Sequence, residues 1–322
     1  PGDGAASAAA ASAEVAPPPK AGPGGLLRAL LEGMRPKQWA KNLLVFAGLL
    51  FTLDRTHHSS EFLRVGLAFV VFCLLSGSVY LINDVADAPA DRRHPRKRSR
   101  PVASGRLPAS VALAVAIGIV PAVLAFSFPF ISKRFTGVAL IYFLVTLAYT
   151  FHLKHVVIID VMSVAAGFIL RAVAGTIVIQ VPSTQWLLVC TGLLALFVAL
   201  GKRRAEFVSV AAKTAAAAPG QTGETRRILT QYSLPLLDQM TTIVATSCLL
   251  SYLLYTFASD TGQRHPYLMA TSPFVLYGLF RYLYLSLQEG KGETPEEVLV
   301  KDGPMLLNIL LWVVAVAIAL RL

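Results

Sequence analysis

The stretch YLINDVADAPADRRHPRKRSRP, residues 80–101, follows an apolar run that begins near residue 65. It changes within a few residues from membrane-compatible side chains to a dense mixture of carboxylates and then of arginines and lysines. A run of about 20 apolar residues is long enough for one helix to cross a bilayer. The stretch therefore predicts a transmembrane helix whose polar end lies at a lipid–water boundary.

The composition of the whole chain supports a membrane protein. Of its 322 residues 55% are hydrophobic and only 15% are charged, whereas a soluble domain carries about 25% charged residues. The net charge of +11 would suggest a nucleic-acid partner in a soluble protein. In a membrane protein the side of the bilayer on which each charge lies matters more, so we expect no nucleic-acid partner.

The apolar runs predict an all-α integral membrane protein with nine transmembrane helices. Residues 1–27 are rich in Ala, Gly and Pro and predict a disordered tail, and residues 28–322 predict one transmembrane domain. The nine spans are predicted at 38–53, 65–83, 108–128, 135–151, 156–178, 184–201, 236–257, 267–285 and 304–321. A β-barrel would show alternating segments of about ten residues instead.

The distribution of basic residues predicts the orientation of these spans. With the N-terminal tail inside, 21 of the 29 lysines and arginines face the cytoplasm and six face the other side. This bias follows the positive-inside rule. We therefore expect a multi-pass protein of the cell membrane whose polar cavity faces the cytoplasm.

The acidic residues of the opening stretch predict a metal site. Asn83, Asp87 and Asp91 recur every four residues and fall within about 80° of one helix face, with Asp84 adjacent. Mg²⁺ prefers such hard oxygen ligands together with substrate phosphates. The alternative is a basic loop that touches anionic lipid, with the acids as solvated partners. Because Pro89 lies within the array, we expect the helix to kink or restart there.

The pattern NDxxDxxxD followed by HPxKxxRP resembles the first aspartate-rich motif of the UbiA-type membrane prenyltransferases. The segments RPKQWAKN, YTFHLKH, GFILRAVAG, GKRRAE and GETPEEVLVKD resemble the decaprenyl-phosphate phosphoribosyltransferase branch of that family. The resemblance implies a nine-helix bundle with a cavity open to the cytoplasm. It also implies Mg²⁺-dependent transfer of phosphoribose from phosphoribosyl pyrophosphate (PRPP) to a polyprenyl phosphate, for arabinan and cell-wall biosynthesis.

The site residues follow from this resemblance and from the positions of the polar side chains. The expected metal ligands are Asn83, Asp84, Asp87 and Asp91, and the expected catalytic carboxylates are Asp87, Asp160 and Glu206. The expected substrate-binding residues are Lys41, Asn42, Arg92, Lys97, Arg100, Tyr149, Lys154, Arg171, Lys202 and Arg203.

Two groups of these residues admit a structural alternative. Arg171 lies three turns from Asp160, about 16 Å deeper, and is either functional or part of a pair between helices. At GKRRAE most family members carry a second aspartate-rich motif, whereas this chain has the single acid Glu206 among three cations. Glu206 could form an intrahelical ion pair with Lys202 or Arg203.

Three other functions remain open at the level of sequence. A prenyltransferase that moves a prenyl diphosphate onto an aromatic acceptor is disfavoured by the single acid at Glu206. A transporter would often show an internal repeat, and none is evident. A non-catalytic lipid-binding scaffold would not need the acidic array. Small residues such as Gly167, Gly175 and Gly192 would allow close helix contacts and leave a homo-oligomer open.

Overall fold

The apolar runs of the sequence are helical in a computed structural model that describes residues 23–52, 57–94, 97–216, 229, 231–288 and 301–322. Within these residues there is no strand. A 3₁₀ segment spans Pro36–Phe46. The α-helices are α1 Pro23–Gly33, α2 Ala47–Leu50, α3 Ser59–Arg93, α4 Ala109–Phe130, α5 Lys133–Phe151, α6 Ile159–Val178, α7 Gln185–Ala216, α8 Leu234–Ala258, α9 Asp260–Arg264, α10 Ser272–Leu287 and α11 Gly303–Ala319.

Six of these helices, α3 to α8, are long and apolar enough to cross a membrane. The other three predicted spans coincide with shorter elements: the 3₁₀ segment with α2, then α10, then α11. At 1.5 Å per residue α10 and α11 are about 24–26 Å long, somewhat less than the roughly 30 Å of a bilayer core. The described residues thus form a multi-pass helical membrane protein with at least six membrane-length helices.

The outer surface of the bundle is apolar, as a lipid environment requires. Ile117 in α4 and Leu310 in α11 are 60% and 62% exposed, and they lie among many other exposed large hydrophobic side chains. Such a contiguous apolar surface is unfavourable in water and favourable against lipid chains. The interior instead contains small residues, aromatic rings and a limited number of polar groups.

Glycines bring the N-terminal elements close to the bundle. A Cβ atom on Gly175 of α6 would collide with the carbonyl oxygen of Val45, so only glycine lets the 3₁₀ segment approach α6 this closely. Gly77 of α3 likewise faces Met34. Two of the glycines named above as possible sites of contact in a homo-oligomer face residues of their own chain. Gly167 faces Tyr142, and Gly192 faces Ile169.

The N-terminal boundary differs slightly from the predicted one. Helix α1 begins at Pro23, inside the stretch assigned to the tail, and its Ala29 is buried. Residues 1–22 of the predicted tail lie outside the described residues.

Candidate active site

Helix α3 carries the acidic array on its last turns. It continues through Pro89 to Arg93, so the predicted restart at this proline is wrong. A proline removes one backbone hydrogen bond and crowds the preceding turn. Only one further turn follows Pro89, and His94 N–H donates to the Asp91 carbonyl at its end. The acids therefore share one helix.

Asp84 and Asp91 form a buried cluster with two arginines. Arg35 Nη2 lies 2.5 Å from Asp84 Oδ1, and Arg100 Nη1 lies 2.7 Å from Asp91 Oδ2 and 3.4 Å from Asp84 Oδ1. Both carboxylates are almost fully buried. Arg35 also lies over the Tyr80 ring, 4.8 Å from its centre. Two guanidinium groups thus neutralise the charge of two buried carboxylates.

The backbone at Arg35 is adapted to this contact. Arg35 has φ 55° and ψ 66°, a left-handed backbone conformation that residues other than glycine and asparagine rarely adopt. The residue joins α1 to the 3₁₀ segment and directs its side chain to α3, 49 residues away. Such local strain is often found at functional sites.

Asn83 and Asp87 form a second, more open part of the array. Asn83 Nδ2 donates to Asp87 Oδ2 over 3.0 Å, and Lys154 Nζ lies 3.4 Å from Asp87 Oδ1. The Asp87 side chain is 36% exposed. The three residues predicted to act together, Asn83, Asp87 and Asp91, are therefore divided between two groups. Asp91 shares the Arg100 guanidinium with Asp84. These two acids are seven residues apart and therefore lie on nearly the same side of the helix.

A second cluster surrounds Arg203 of α7. Arg203 Nη2 lies 2.7 Å from Asp160 Oδ2, and Arg203 Nη1 donates to Glu206 Oε2 over 2.5 Å. The intrahelical pair considered from the sequence is therefore present, and Arg203 additionally bridges to α6. Tyr149 lies close enough to interact electrostatically with Arg203.

Tyr232 completes this cluster from the segment before α8. Its hydroxyl donates to Asp160 Oδ1 over 2.8 Å and accepts a hydrogen bond from the Ile158 backbone N–H, also over 2.8 Å. Burial, with a smaller contribution from the neighbouring Asp160 carboxylate, raises the pKa of Tyr232 to about 12. The phenol is thus a neutral hydrogen-bond donor at physiological pH.

Both clusters lie at the same end of the bundle. The connection between α5 and α6 contributes Lys154 to the Asp87 contact, and Asp160 begins the next helix only a few residues later. Helix α3 ends, and α4 begins, at this end as well. The two clusters therefore contain side chains from α3, α6 and α7, from the residue before the 3₁₀ segment, and from the connections that follow α3, α5 and α7.

Arg171 lies apart from these clusters and is part of a buried polar core. Its Nε donates to Asn42 Oδ1 and its Nη2 to the Tyr142 hydroxyl, both over 2.7 Å, and its Nη1 donates to the Gly167 carbonyl. Asp160 pairs with Arg203 and not with Arg171. Asn42 and Arg171, both expected to bind substrate, contact each other, and each Arg171 side-chain nitrogen has a hydrogen-bond partner within the described residues.

The remaining expected substrate-binding residues differ in accessibility. Lys41 and Lys202 are half-buried, and Lys97 is exposed. Arg92 is exposed, and its Nε donates to the Ala103 carbonyl over 3.3 Å. Arg226 and Arg227, two further basic residues of the chain, lie outside the described residues.

The donor set fits Mg²⁺ at Asn83 and Asp87 better than at Asp84 and Asp91. Within the described residues no three His, Cys, Asp or Glu side chains converge as a cation site. Arg35 and Arg100 already contact one oxygen of Asp84 and one of Asp91, Oδ1 and Oδ2 respectively. Mg²⁺ typically takes one or two carboxylates and completes its shell with water and substrate phosphate. The exposed Asp87 carboxylate beside the Asn83 amide meets this requirement.

Sequence reasoning missed three residues of these networks. Arg35 lies in the quoted segment RPKQWAKN but was not assigned to the site, because its left-handed backbone conformation cannot be recognised from the neighbouring residues. Tyr232 and Tyr142 were likewise not assigned to the site. Each makes its decisive contact with a residue at least 29 positions away.

The sequence of this chain is similar to those of known proteins. The UbiA prenyltransferase family profile matches residues 43–310. The decaprenyl-phosphate phosphoribosyltransferase of Mycolicibacterium smegmatis is 34% identical over 319 residues, which cover 95% of this chain and 97% of that protein. The protein of the same name from Corynebacterium glutamicum is 34% identical over 308 residues, covering 92% and 88% of the two chains.

Solved structures share the fold. A UbiA homolog from Archaeoglobus fulgidus bound to GPP and Mg²⁺ superposes with a TM-score of 0.67, over 91% of this chain and all of that chain. A structure described as digeranylgeranylglyceryl phosphate synthase gives a TM-score of 0.63, over 92% and 98% of the two chains. The sequence identities are 15% and 16%, so these similarities support the fold alone.

Proposed function

Because this chain belongs to the UbiA prenyltransferase family, we propose that it transfers 5-phosphoribose from PRPP to a polyprenyl phosphate of the decaprenyl type. The products are polyprenylphosphoryl-5-phosphoribose and pyrophosphate. The chain is a membrane-embedded transferase that acts on polyprenyl phosphate, in keeping with the named activity of relatives that align along almost its whole length.

The observation that carries this proposal is the buried cation Arg203. The resemblance described from the sequence implies a second aspartate-rich motif at this segment in most family members. Here Arg203 lies between Asp160 and Glu206, with Lys202 beside it. PRPP carries a 5-phosphate in addition to its diphosphate, so it needs cationic donors at two places. Lys154, beside Asp87, supplies cationic donors at one place, and Arg203 with Lys202 supplies them at the other.

Charge neutralisation is the main task of the protein in this reaction. As the bond between C1 and the diphosphate oxygen breaks, the bonding electrons leave with pyrophosphate and the ribose gains oxocarbenium character. Preorganised cations directed at the developing negative charge lower the barrier. Arg100, Lys97, Lys154, Lys202 and Arg203 are the candidates for this role.

Mg²⁺ would be held by Asp87 and Asn83, with Asp84 and Asp91 as further candidate ligands. When bound, it supplies charge neutralisation to the leaving diphosphate. Arg35 and Arg100 hold the Asp84 and Asp91 side chains in place at the base of the array.

The acceptor needs no strong general base. One oxygen of the polyprenyl phosphate, already anionic, forms the new bond to C1. Asp87, Asp160 and Glu206 are the carboxylates placed to stabilise the ribose cation or to orient its hydroxyl groups. The polyprenyl chain would lie against the apolar outer faces of the helices and enter the site from the lipid.

The family relationship and the distribution of charge also support an orientation. We place the two clusters on the cytoplasmic side of the cell membrane, where soluble PRPP is available, with nine segments embedded in the bilayer. In this orientation the product would serve the synthesis of arabinose donors for cell-wall arabinan.

The proposal is tested with purified protein, PRPP, Mg²⁺ and decaprenyl phosphate, by following pyrophosphate release and the lipid product together. We expect a lipid-linked phosphoribose that depends on all three components. A parallel reaction with geranyl diphosphate and an aromatic acceptor tests the alternative prenyltransferase. Prenylation of the aromatic acceptor, with no phosphoribosyl lipid for any chain length, would contradict the proposal.

A further inference from the structure

The backbone immediately before α6 forms a strained turn. Ile158 has φ 69° and ψ −46°, and the Ile159 N–H donates to the Val157 carbonyl over 2.8 Å. These values describe a γ-turn with positive φ, which is rare and strained. A β-branched residue is particularly unfavourable there. Strain of this kind persists only where the surrounding structure holds the backbone in place.

The Tyr232 hydroxyl holds this turn. It accepts the Ile158 N–H, a donor at the start of α6 that has no partner within the helix. The same hydroxyl donates to Asp160 Oδ1, two residues further along. Asp160 is completely buried, so a lost hydrogen bond could not be replaced by solvent. One hydroxyl therefore fixes both the turn and the carboxylate that follows it.

Asp160 transmits this constraint to Arg203. Its second oxygen, Oδ2, lies 2.7 Å from Arg203 Nη2, and Glu206 holds the other end of the same guanidinium. Arg203 is nearly buried, and within the described part of the chain its Nε has no hydrogen-bond partner. The guanidinium is thus oriented by two carboxylates and retains an unused donor suited to a phosphate oxygen.

We propose that Tyr232 is a positioning residue for the phosphoribosyl donor. It acts through Asp160 and Arg203 and does not touch the substrate itself. This assignment rests on the proposed function, because it makes the Arg203 guanidinium the group that receives a phosphate of PRPP. Preorganisation of a cation before the substrate binds avoids reorganisation during the reaction.

The packing of the ring does not by itself require a tyrosine. The Tyr232 ring lies in an apolar cluster with Val161, Leu200, Leu229 and Leu237, where a phenylalanine would fill the same space. The hydroxyl makes the hydrogen bonds to Asp160 Oδ1 and to the Ile158 N–H. Tyr232→Phe therefore removes the constraint and preserves the packing.

The test is a kinetic comparison of Tyr232→Phe with a matched control, Tyr252→Phe. Tyr252 is similarly buried, and its hydroxyl contacts Thr271 and Trp312 outside the two clusters. We expect Tyr232→Phe to lower kcat/KM for PRPP about tenfold to a hundredfold, since hydrogen bonds to charged groups are the stronger ones. The KM for decaprenyl phosphate should be unchanged. Tyr252→Phe should leave both values near wild type.

A double-mutant cycle separates positioning from a general loss of stability. If Tyr232 acts through Asp160, Tyr232→Phe should have little further effect in the Asp160→Asn background. An equal loss in both backgrounds would overturn the proposal, and so would a KM for decaprenyl phosphate that rises as much as that for PRPP.

The same cycle is measured in thermal unfolding without substrate. Tyr232→Phe and Asp160→Asn should be non-additive in Tm, whereas Tyr252→Phe and Asp160→Asn should add. If wild-type protein turns over no PRPP, the proposed function fails. The Tm cycle then still decides whether the hydroxyl and Asp160 are coupled, and additivity there would overturn the coupling.

Discussion

At the scale of single residues, Asp84 is the most heavily constrained carboxylate in the structure's acidic array. Its side chain is 2% exposed and pairs with Arg35, and it lies 3.4 Å from Arg100, whose closer partner is Asp91. Removing one member of a buried ion pair is strongly unfavourable because the other charge stays buried without compensation. We therefore expect Asp84 to contribute to the stability of the protein.

We predict that Asp84→Asn lowers the free energy of unfolding by about 3–5 kcal/mol. The matched control is Glu32→Gln, which breaks the Arg106–Glu32 pair, whose side chains are 43% and 46% exposed. An exposed pair of this kind contributes about 1 kcal/mol or less. Thermal unfolding of both variants in the same detergent measures the difference, and equal losses would contradict the role assigned to burial.

Asp87 has the opposite character, because it is accessible and only loosely paired. We predict that Asp87→Asn lowers Mg²⁺-dependent turnover at least a hundredfold, as expected when charge stabilisation in the transition state is lost, with little change in Tm. Asp238→Asn is the control, since Asp238 is also partly exposed and pairs with Arg204. A Mg²⁺ titration of activity provides the measurement. Full activity of Asp87→Asn at ordinary Mg²⁺ would refute the assignment.

At the scale of elements, the close approach of the 3₁₀ segment to α6 organises the interior. The approach depends on Gly175, and Arg171 on the same helix joins Asn42 of the 3₁₀ segment to Tyr142 of α5. Arg171 is therefore a connector between three elements. From the sequence, Arg171 could have formed a structural pair between helices. In the structure it pairs with Asn42, whereas Asp160 pairs with Arg203.

We predict that Gly175→Ala destabilises the protein, because its Cβ atom meets the Val45 carbonyl oxygen and backbone cannot easily move away. Gly118→Ala in α4 is the control, since a Cβ atom there meets nothing within 4 Å. That change should be neutral or stabilising by up to about 1 kcal/mol, because glycine is unfavourable within a helix. Comparable losses of Tm in the two variants would show that the close contact is unimportant.

At the scale of the whole molecule, the charged clusters collect at one end of a bundle whose sides are apolar. The connection between α5 and α6 joins the two clusters, since it supplies Lys154 and leads directly into Asp160. This one-sided distribution is the arrangement needed by an enzyme that takes a soluble anion from one compartment and a lipid from the bilayer.

The orientation can be measured by cysteine labelling in intact cells. Ser99→Cys at the charged end should react with a membrane-impermeant maleimide only after the membrane is opened, whereas His58→Cys should react in intact cells. Both positions are exposed, and the native Cys73 and Cys248 are buried. The opposite pattern would place the charged clusters on the outside and would contradict the proposed access of PRPP.

Much of the architecture could be predicted from local sequence, because its causes are local. Apolar runs of membrane length predicted an all-helical membrane protein, and α3 through α8 are long and apolar enough to cross a bilayer. The motif around Asp87 predicted the family, which the relatives confirm. The Arg203–Glu206 pair was also open to prediction, since residues three apart are neighbours on a helix.

The sequence by itself thus determined the membrane environment, the helical class and the choice of acidic and basic residues for the site. Only the tertiary structure decided how these charges are paired. Four contacts join separate elements of the fold: Arg35 with Asp84, Lys154 with Asp87, Arg203 with Asp160 and Tyr232 with Asp160. Periodicity describes which residues share a face of one helix, whereas a contact between helices depends on how their backbones pack.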